Sequence, residues 1–134
     1  MAGFTAIFSK HTITQDFSFR DKSAIENPSD FSLKHISGNQ IRIEQFTITK
    51  FLAEKICQED ENFIIVTDGV LLNLNQLQQK YQVDDVFSLL KTLYTSKGKT
   101  FVNELRGDYS GLIFDKSTNT CFVFTNHTGS KRIF

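Results

Sequence analysis

Between Phe63 and Val66 the chain carries four bulky apolar residues in a row, Phe-Ile-Ile-Val, with an Asp68-Gly69 dipeptide two residues on. An unbroken apolar run this short, rich in β-branched residues, reads as a strand buried on both faces. A strand of that kind needs cover above and below, so the rest of the chain must supply a second layer on each side. Asp68-Gly69 reads as the turn that ends the run.

The flanking segments show what those layers are. Residues 3–8 form a short apolar strand pattern. Phe31 to Ile36 and Ile41 to Glu44 both alternate, separated by Ser37-Gly38-Asn39, which predicts a β-hairpin. Thr12 to Asp30, holding the only proline, Pro28, reads as loop with at most a short strand, and Lys50 to Asp60 fits either a helix or an irregular edge. After the apolar run the period changes. Residues 73–81 read as helix, and Asp84 suits the N-cap of a second helix with Val86, Leu89, Leu90 and Leu93 on one face and Gly98 beyond its end. A shorter helix is predicted from Phe101 to Leu105. Tyr109 to Phe114 and Cys121 to Thr125 then flank Lys116-Ser117-Thr118-Asn119 as a second hairpin. Strands, helices, strands in that order predict an α+β domain, antiparallel sheet packed on a helical layer.

Composition narrows the function classes. The 134 residues suit a single domain spanning 1–134, and 14 Phe supply its core. Fifteen basic residues balance fifteen acidic ones without a basic stripe, so the electrostatic basis of nucleic-acid binding is missing. The short basic pairs Lys97/Lys99 and Lys131/Arg132 read as solvated ends. Cys57 and Cys121 are far apart and form neither a disulfide framework nor a zinc motif, and His11, His35 and His127 have no ligand spacing. No metal or cofactor is expected. The N-terminus lacks a charged leader and no apolar stretch is long enough to span a bilayer, so no membrane partner is expected and a cytoplasmic location is. The sequon Asn126-His127-Thr128 is then a chance match. Gly98-Lys99-Thr100 copies the end of a phosphate-binding loop, but the leading glycine position is Leu93, so it reads as a helix end.

Four blocks in order carry a resemblance: Phe63 to Asn73, with Asp68-Gly69-Val70-Leu71-Leu72-Asn73 where relatives write Asn-Gly-Glu-Ile-Tyr-Asn; Val83-Asp84-Asp85-Val86; Leu105 to Asp115; and Asn126 to Phe134. Together they resemble the class II glutamine amidotransferase domain of asparagine synthetases, an N-terminal nucleophile hydrolase fold. The resemblance implies antiparallel sheets sandwiched with helical layers. It also implies a chain truncated at its C-terminus, because residues 120–134 read as strand to the last residue. An exposed edge there invites a second copy to pair as a homo-oligomer. The implied partner is an ATP-dependent synthetase domain, in cis or in trans.

The family's chemistry, so implied, uses a cysteine at the second position, its own amino group as base, an oxyanion hole from an Asn side chain and a Gly N–H, an Arg fork for the substrate carboxylate, and an Asp for the substrate amine. In this chain the nucleophile position is Ala2, so no catalytic residue is assigned. The oxyanion Asn is Asp68, Gly69 is retained, the Arg position falls on Gln45 with Arg42 as a substitute three residues earlier, and Asp84 matches the amine-holding Asp. Loss of a nucleophile costs on the order of 10⁶ in turnover in a well-studied protease, so glutamine hydrolysis is not expected. Three readings follow: a degenerate domain acting structurally or as a regulator, a module that binds an amino acid or amine in the old pocket, and an asparagine synthetase fragment with an engineered Ala2.

Overall fold

A computed structural model describes residues 3–14, 31–48 and 54–129. The chain divides into two compact units, Met1–Leu52 and Ala53–Phe134. Both contain antiparallel sheet and the second adds helices, so the α+β class predicted from the order of patterns is the observed one.

The first unit holds β1 (Gly3–Phe8), β2 (Phe31–Ser37) and β3 (Ile41–Ile48) in the order β1-β3-β2, all antiparallel. The predicted hairpin is β2–β3, closed at Gly38, whose N–H donates to the Ile41 carbonyl at 2.8 Å. Alternation along β3 puts Ile41, Ile43, Gln45 and Thr47 on one face, all buried, and Arg42 and Glu44 on the other, half-buried. Past β1, residues 12–14 carry no strand; the remainder of the predicted loop, like Ala2, falls outside the described residues.

The second unit holds β4 (Cys57–Glu59), β5 (Phe63–Leu71), α1 (Leu74–Tyr81), α2 (Val86–Lys97), a 3-10 segment (Gly98–Glu104), β6 (Gly107–Asp115) and β7 (Thr120–Thr125). Its sheet runs β4-β5-β6-β7, antiparallel throughout. The ambiguous stretch before Asp60 therefore ends in a three-residue edge strand. The predicted short helix at Phe101 is the 3-10 segment.

One face of this sheet packs on the helices. Ile65, Leu71, Tyr109, Ile113 and Phe124 meet Leu77 of α1 and Val86, Leu89, Leu90 and Leu93 of α2 in one core. The helical stripe read from the sequence is the buried one. Phe101, fully buried, sits among the rings of Tyr94, Phe122 and Phe124, with centroids at 6.1, 5.8 and 5.1 Å, mostly edge to face. The other face carries Ile64, Val66, Asp68, Leu112 and Phe114, each buried as well. The unbroken apolar run is thus covered on both sides, as its composition required.

Three local readings need correction. Asp68-Gly69 is no turn: β5 continues through it, with Asp68 opposite Ser110 and Gly69 opposite Tyr109. The N-cap of α2 is Asp85, whose carboxylate accepts from Ser88 N and Oγ at 2.8 and 2.7 Å, while Asp84 lies one residue before it. The strand pattern from 120 onward breaks at Asn126–Gly129, where Gly129 N donates to the Asn126 carbonyl at 3.1 Å, and residues 130–134 lie outside the described set. Only the first was decided by a distant partner, strand β6; the other two turn on bonds between residues three apart.

Candidate functional site

Two of the sequence candidates in the second unit, Asp68 and Gly69, are adjacent near the end of β5. Asp68 is 5% exposed, with its side chain on the sheet face away from the helices. A carboxylate there accepts hydrogen bonds and donates none when ionised. It cannot serve a developing oxyanion as an amide NH₂ would.

Gly69 has its own structural reason. Its φ is +119°, and a Cβ there would stand 2.1 Å from the Asp108 carbonyl oxygen. Gly107, two residues from Tyr109 on the partner strand, mirrors it: φ is +143° and a Cβ would lie 2.0 Å from the Val70 carbonyl oxygen. The two strands approach here more closely than side chains allow, so glycine is required twice on backbone grounds alone.

Two asparagines that sequence reasoning passed over hold this crossing in place. The Asn73 side chain accepts from Arg106 N at 2.9 Å and donates to the Glu104 carbonyl at 2.8 Å, while Leu72 N donates to the Arg106 carbonyl at 2.8 Å. On the far side Asn126, 9% exposed, donates through Nδ2 to the Gly107 carbonyl at 3.3 Å and to Thr128 Oγ1 at 3.0 Å. Its N–H donates to the Tyr109 carbonyl at 3.0 Å. The start of β6 is thereby gripped from both neighbouring strands. The signal was present in the sequence, since both residues stand at the ends of apolar runs where an amide can bond free backbone groups. The Asn126 side chain is thus occupied and buried, while His127 and Thr128 of the sequon are exposed.

Asp84 stands elsewhere. It is exposed in the connection between α1 and α2, on the helical side of the sheet, whereas the Asp68 side chain lies on the opposite face. The cavity that Asp84 lines, with Asn75, Gln78, Gln79, Gln82 and Val83, does not include Asp68. In the first unit Gln45 is 1% exposed in the middle strand, between Phe4 and Lys34 on the flanking strands. Arg42 cannot replace it, because residues three apart on a strand point to opposite faces. Its guanidinium donates instead to the Ile13 carbonyl at 3.4 Å.

The cysteines have no nucleophile's environment. Cys57 is buried on the edge strand, and burial pushes the Cys121 thiol up from its ordinary value, keeping it protonated at neutral pH. Among the described residues no group of three His, Cys, Asp or Glu side chains is placed to hold a metal ion, and no helix is long and apolar enough to cross a membrane.

Fold and corner together describe a small α+β chain built on antiparallel sheet, with a tightly drawn strand crossing where the resemblance places an oxyanion hole. The chain belongs to the glutamine amidotransferase domain family, whose sequence pattern it matches over residues 53–134. That stretch coincides with the second structural unit and contains all four blocks quoted above. No curated protein matches the chain closely enough to serve as a relative.

Proposed function

We propose that the chain is a degenerate glutaminase-type domain of an asparagine synthetase-related protein, with 1–134 as one domain that acts structurally or as a regulator. The observation that carries this reading is Asp68: within the family's own segment, a buried carboxylate occupies the position the resemblance gives to the oxyanion-binding Asn. Ala2 at the nucleophile position and Gln45 at the Arg position point the same way, as side chains without a thiol and without a charge. With aspartate in place of asparagine the corner loses its side-chain donor and keeps only acceptors. Loss of one oxyanion donor alone costs about 10²–10³ in turnover where the rest of the site works. Amide transfer in the assembly then draws ammonia from elsewhere, and the ATP-dependent synthetase domain, in cis or in trans, is the implied partner in the cytoplasm.

Covalent trapping tests the proposal. An electrophilic glutamine analogue labels an amidotransferase through its N-terminal thiol. Mass spectrometry of this chain after such treatment is expected to show no adduct at the N-terminal residue. A stoichiometric adduct there overturns the reading.

A second reading has one specific observation behind it. The Asp68 carboxylate, buried beside Ser110, favours a cation over the neutral amide of glutamine. In that reading the old pocket binds an amine or amino acid without turnover. Calorimetric titration with amino acids and polyamines separates the two, since the structural role predicts no heat from any of them. The third reading is an active asparagine synthetase fragment with an engineered Ala2; sequencing the source gene tests it, and an alanine at codon two would exclude it.

A further inference from the structure

Among the described residues the sheet of the second unit ends on two unlike edges. β4 is three residues long and carries Gln58 and Glu59, and Glu59 accepts from Lys116 Nζ at 3.1 Å. Short length and charge keep an edge strand from pairing with another chain. β7 has neither device. Its six residues, Thr-Cys-Phe-Val-Phe-Thr, include no charge and no proline, and most of them favour extended structure. Among the described residues it pairs with β6 alone, and no strand lies on its outer side. The turn that follows is anchored toward β6 instead. Asn126 donates from its backbone N–H to the Tyr109 carbonyl at 3.0 Å and from Nδ2 to the Gly107 carbonyl at 3.3 Å.

Parity fixes what this edge offers. The Asn126 N–H faces β6, so Phe124 and Phe122, at every second residue back from it, turn their backbone groups to β6 as well. Cys121 and Val123 turn theirs outward. Side chains sort by the same alternation. Phe122 and Phe124 lie on the helical face with Phe101, while Cys121 and Val123 lie on the other, where Val123 is 41% exposed. A strand added here must match outward groups two residues apart and bring apolar side chains to both faces. β7 itself meets both conditions.

We infer that the outer edge of β7 pairs antiparallel with β7 of a second copy, about a two-fold axis through Phe122. In that register Cys121 stands opposite Val123 of the second copy, and Phe122 opposite its own counterpart. Every outward N–H and C=O of Cys121 and Val123 meets a partner, and each side chain faces one on its own side of the sheet. A slip of one residue would set Val123 against Phe122 of the second copy and turn the wrong face of each strand to the other. The two Phe122 rings meet across the axis, with Cα atoms about 4.5 Å apart, as a cross-strand aromatic pair. β4 cannot take this place, being half as long and holding Glu59 against Lys116. The contact is therefore isologous and closes at two copies. One strand pair is small beside the roughly 1,200–2,000 Å² of a stable interface, so the dimer forms reversibly with concentration. None of this depends on the reading of Asp68.

Sedimentation of the full chain over a range of concentrations tests the inference, and is expected to show monomer passing to dimer with no larger species. Val123→Pro removes an outward N–H and no bond to β6, so it should stay folded by circular dichroism and sediment as monomer throughout. Val123→Lys, which sets a charge on the edge, should do the same. Val123→Cys brings its thiol opposite Cys121 of the second copy, with Cα atoms about 5.5 Å apart, within reach of a disulfide. Oxidised glutathione should then give a covalent dimer that disappears when Cys121→Ser is added. A parent chain that is monomeric at every concentration overturns the inference, as does growth beyond two copies. So do folded Val123→Pro and Val123→Lys chains that dimerise like the parent, a Val123→Cys chain that gives no covalent dimer, or a covalent dimer indifferent to Cys121→Ser.

Discussion

Gly69 shows why a dipeptide's local chemistry and its structural role can part company. Asp-Gly is a turn signal because glycine reaches positive φ freely, and Gly69 does adopt φ +119°. What the sequence could not convey is that this freedom serves a close approach of β5 to β6, set by residues about forty positions downstream. Gly69→Ala places a methyl 2.1 Å from the Asp108 carbonyl oxygen in a region alanine rarely enters. A loss of about 1–3 kcal/mol or more is expected, read as a lower denaturant midpoint. The two neighbouring aspartates make a second contrast at this scale. Asp85→Ala removes the cap from α2 and is expected to cost about 1 kcal/mol, whereas Asp84→Ala leaves thermal unfolding unchanged. Sequence alone favoured Asp84, since either residue has the right chemistry. Only the observed bond to Ser88 distinguishes them.

Elements with a long repeat were readable; those defined by their neighbours were not. The stripe Val86, Leu89, Leu90, Leu93 repeats over two turns, and all four are buried. Strand β4 has three residues, Cys-Gln-Glu, and exists because Cys57–Glu59 pairs with Ile64–Val66, a fact no local pattern encodes. The 3-10 segment depends on one side chain. Phe101→Ala empties the centre of the ring cluster formed with Tyr94, Phe122 and Phe124. A loss of about 3–5 kcal/mol is expected by chemical denaturation, and Phe101→Leu should lose less.

The same segment is fastened at its end by charge. Glu104 accepts from Lys97 Nζ at 2.9 Å and Lys80 Nζ at 3.0 Å, joining the 3-10 segment to α2 and α1. These two ammonium groups, Lys97 first, lower the Glu104 carboxyl from 4.5 to about 2. A depressed folded value means that the carboxylate's contribution is complete above the unfolded value and disappears as pH falls through the folded one. The stability difference between the parent chain and Glu104→Gln should therefore be constant above about pH 4.5 and shrink to nothing near pH 2. Urea midpoints across that window measure it, and added salt should reduce the difference throughout because the lysines are exposed.

At the scale of the whole molecule the chain is two units, and the family relationship rests on the second, residues 53–134. The α+β class was legible because period-two and period-3.6 segments follow one another in blocks. The family was legible because four blocks kept their order. The site positions read from the resemblance are dispersed: Ala2 lies outside the described residues, Gln45 belongs to the first unit, and Asp84 stands on the helical side of the sheet whose other face carries Asp68. Spacing along a chain places residues on elements, but which face of a sheet each occupies depends on register, and register is set by the partner strand.

A degenerate domain, as proposed, keeps the amidotransferase family's fold without hydrolysing glutamine. Incubation of the purified chain with glutamine, with glutamate followed over many hours, measures that directly. Glutamate formation no faster than in the protein-free control is the predicted result. Steady release proportional to protein concentration would contradict it.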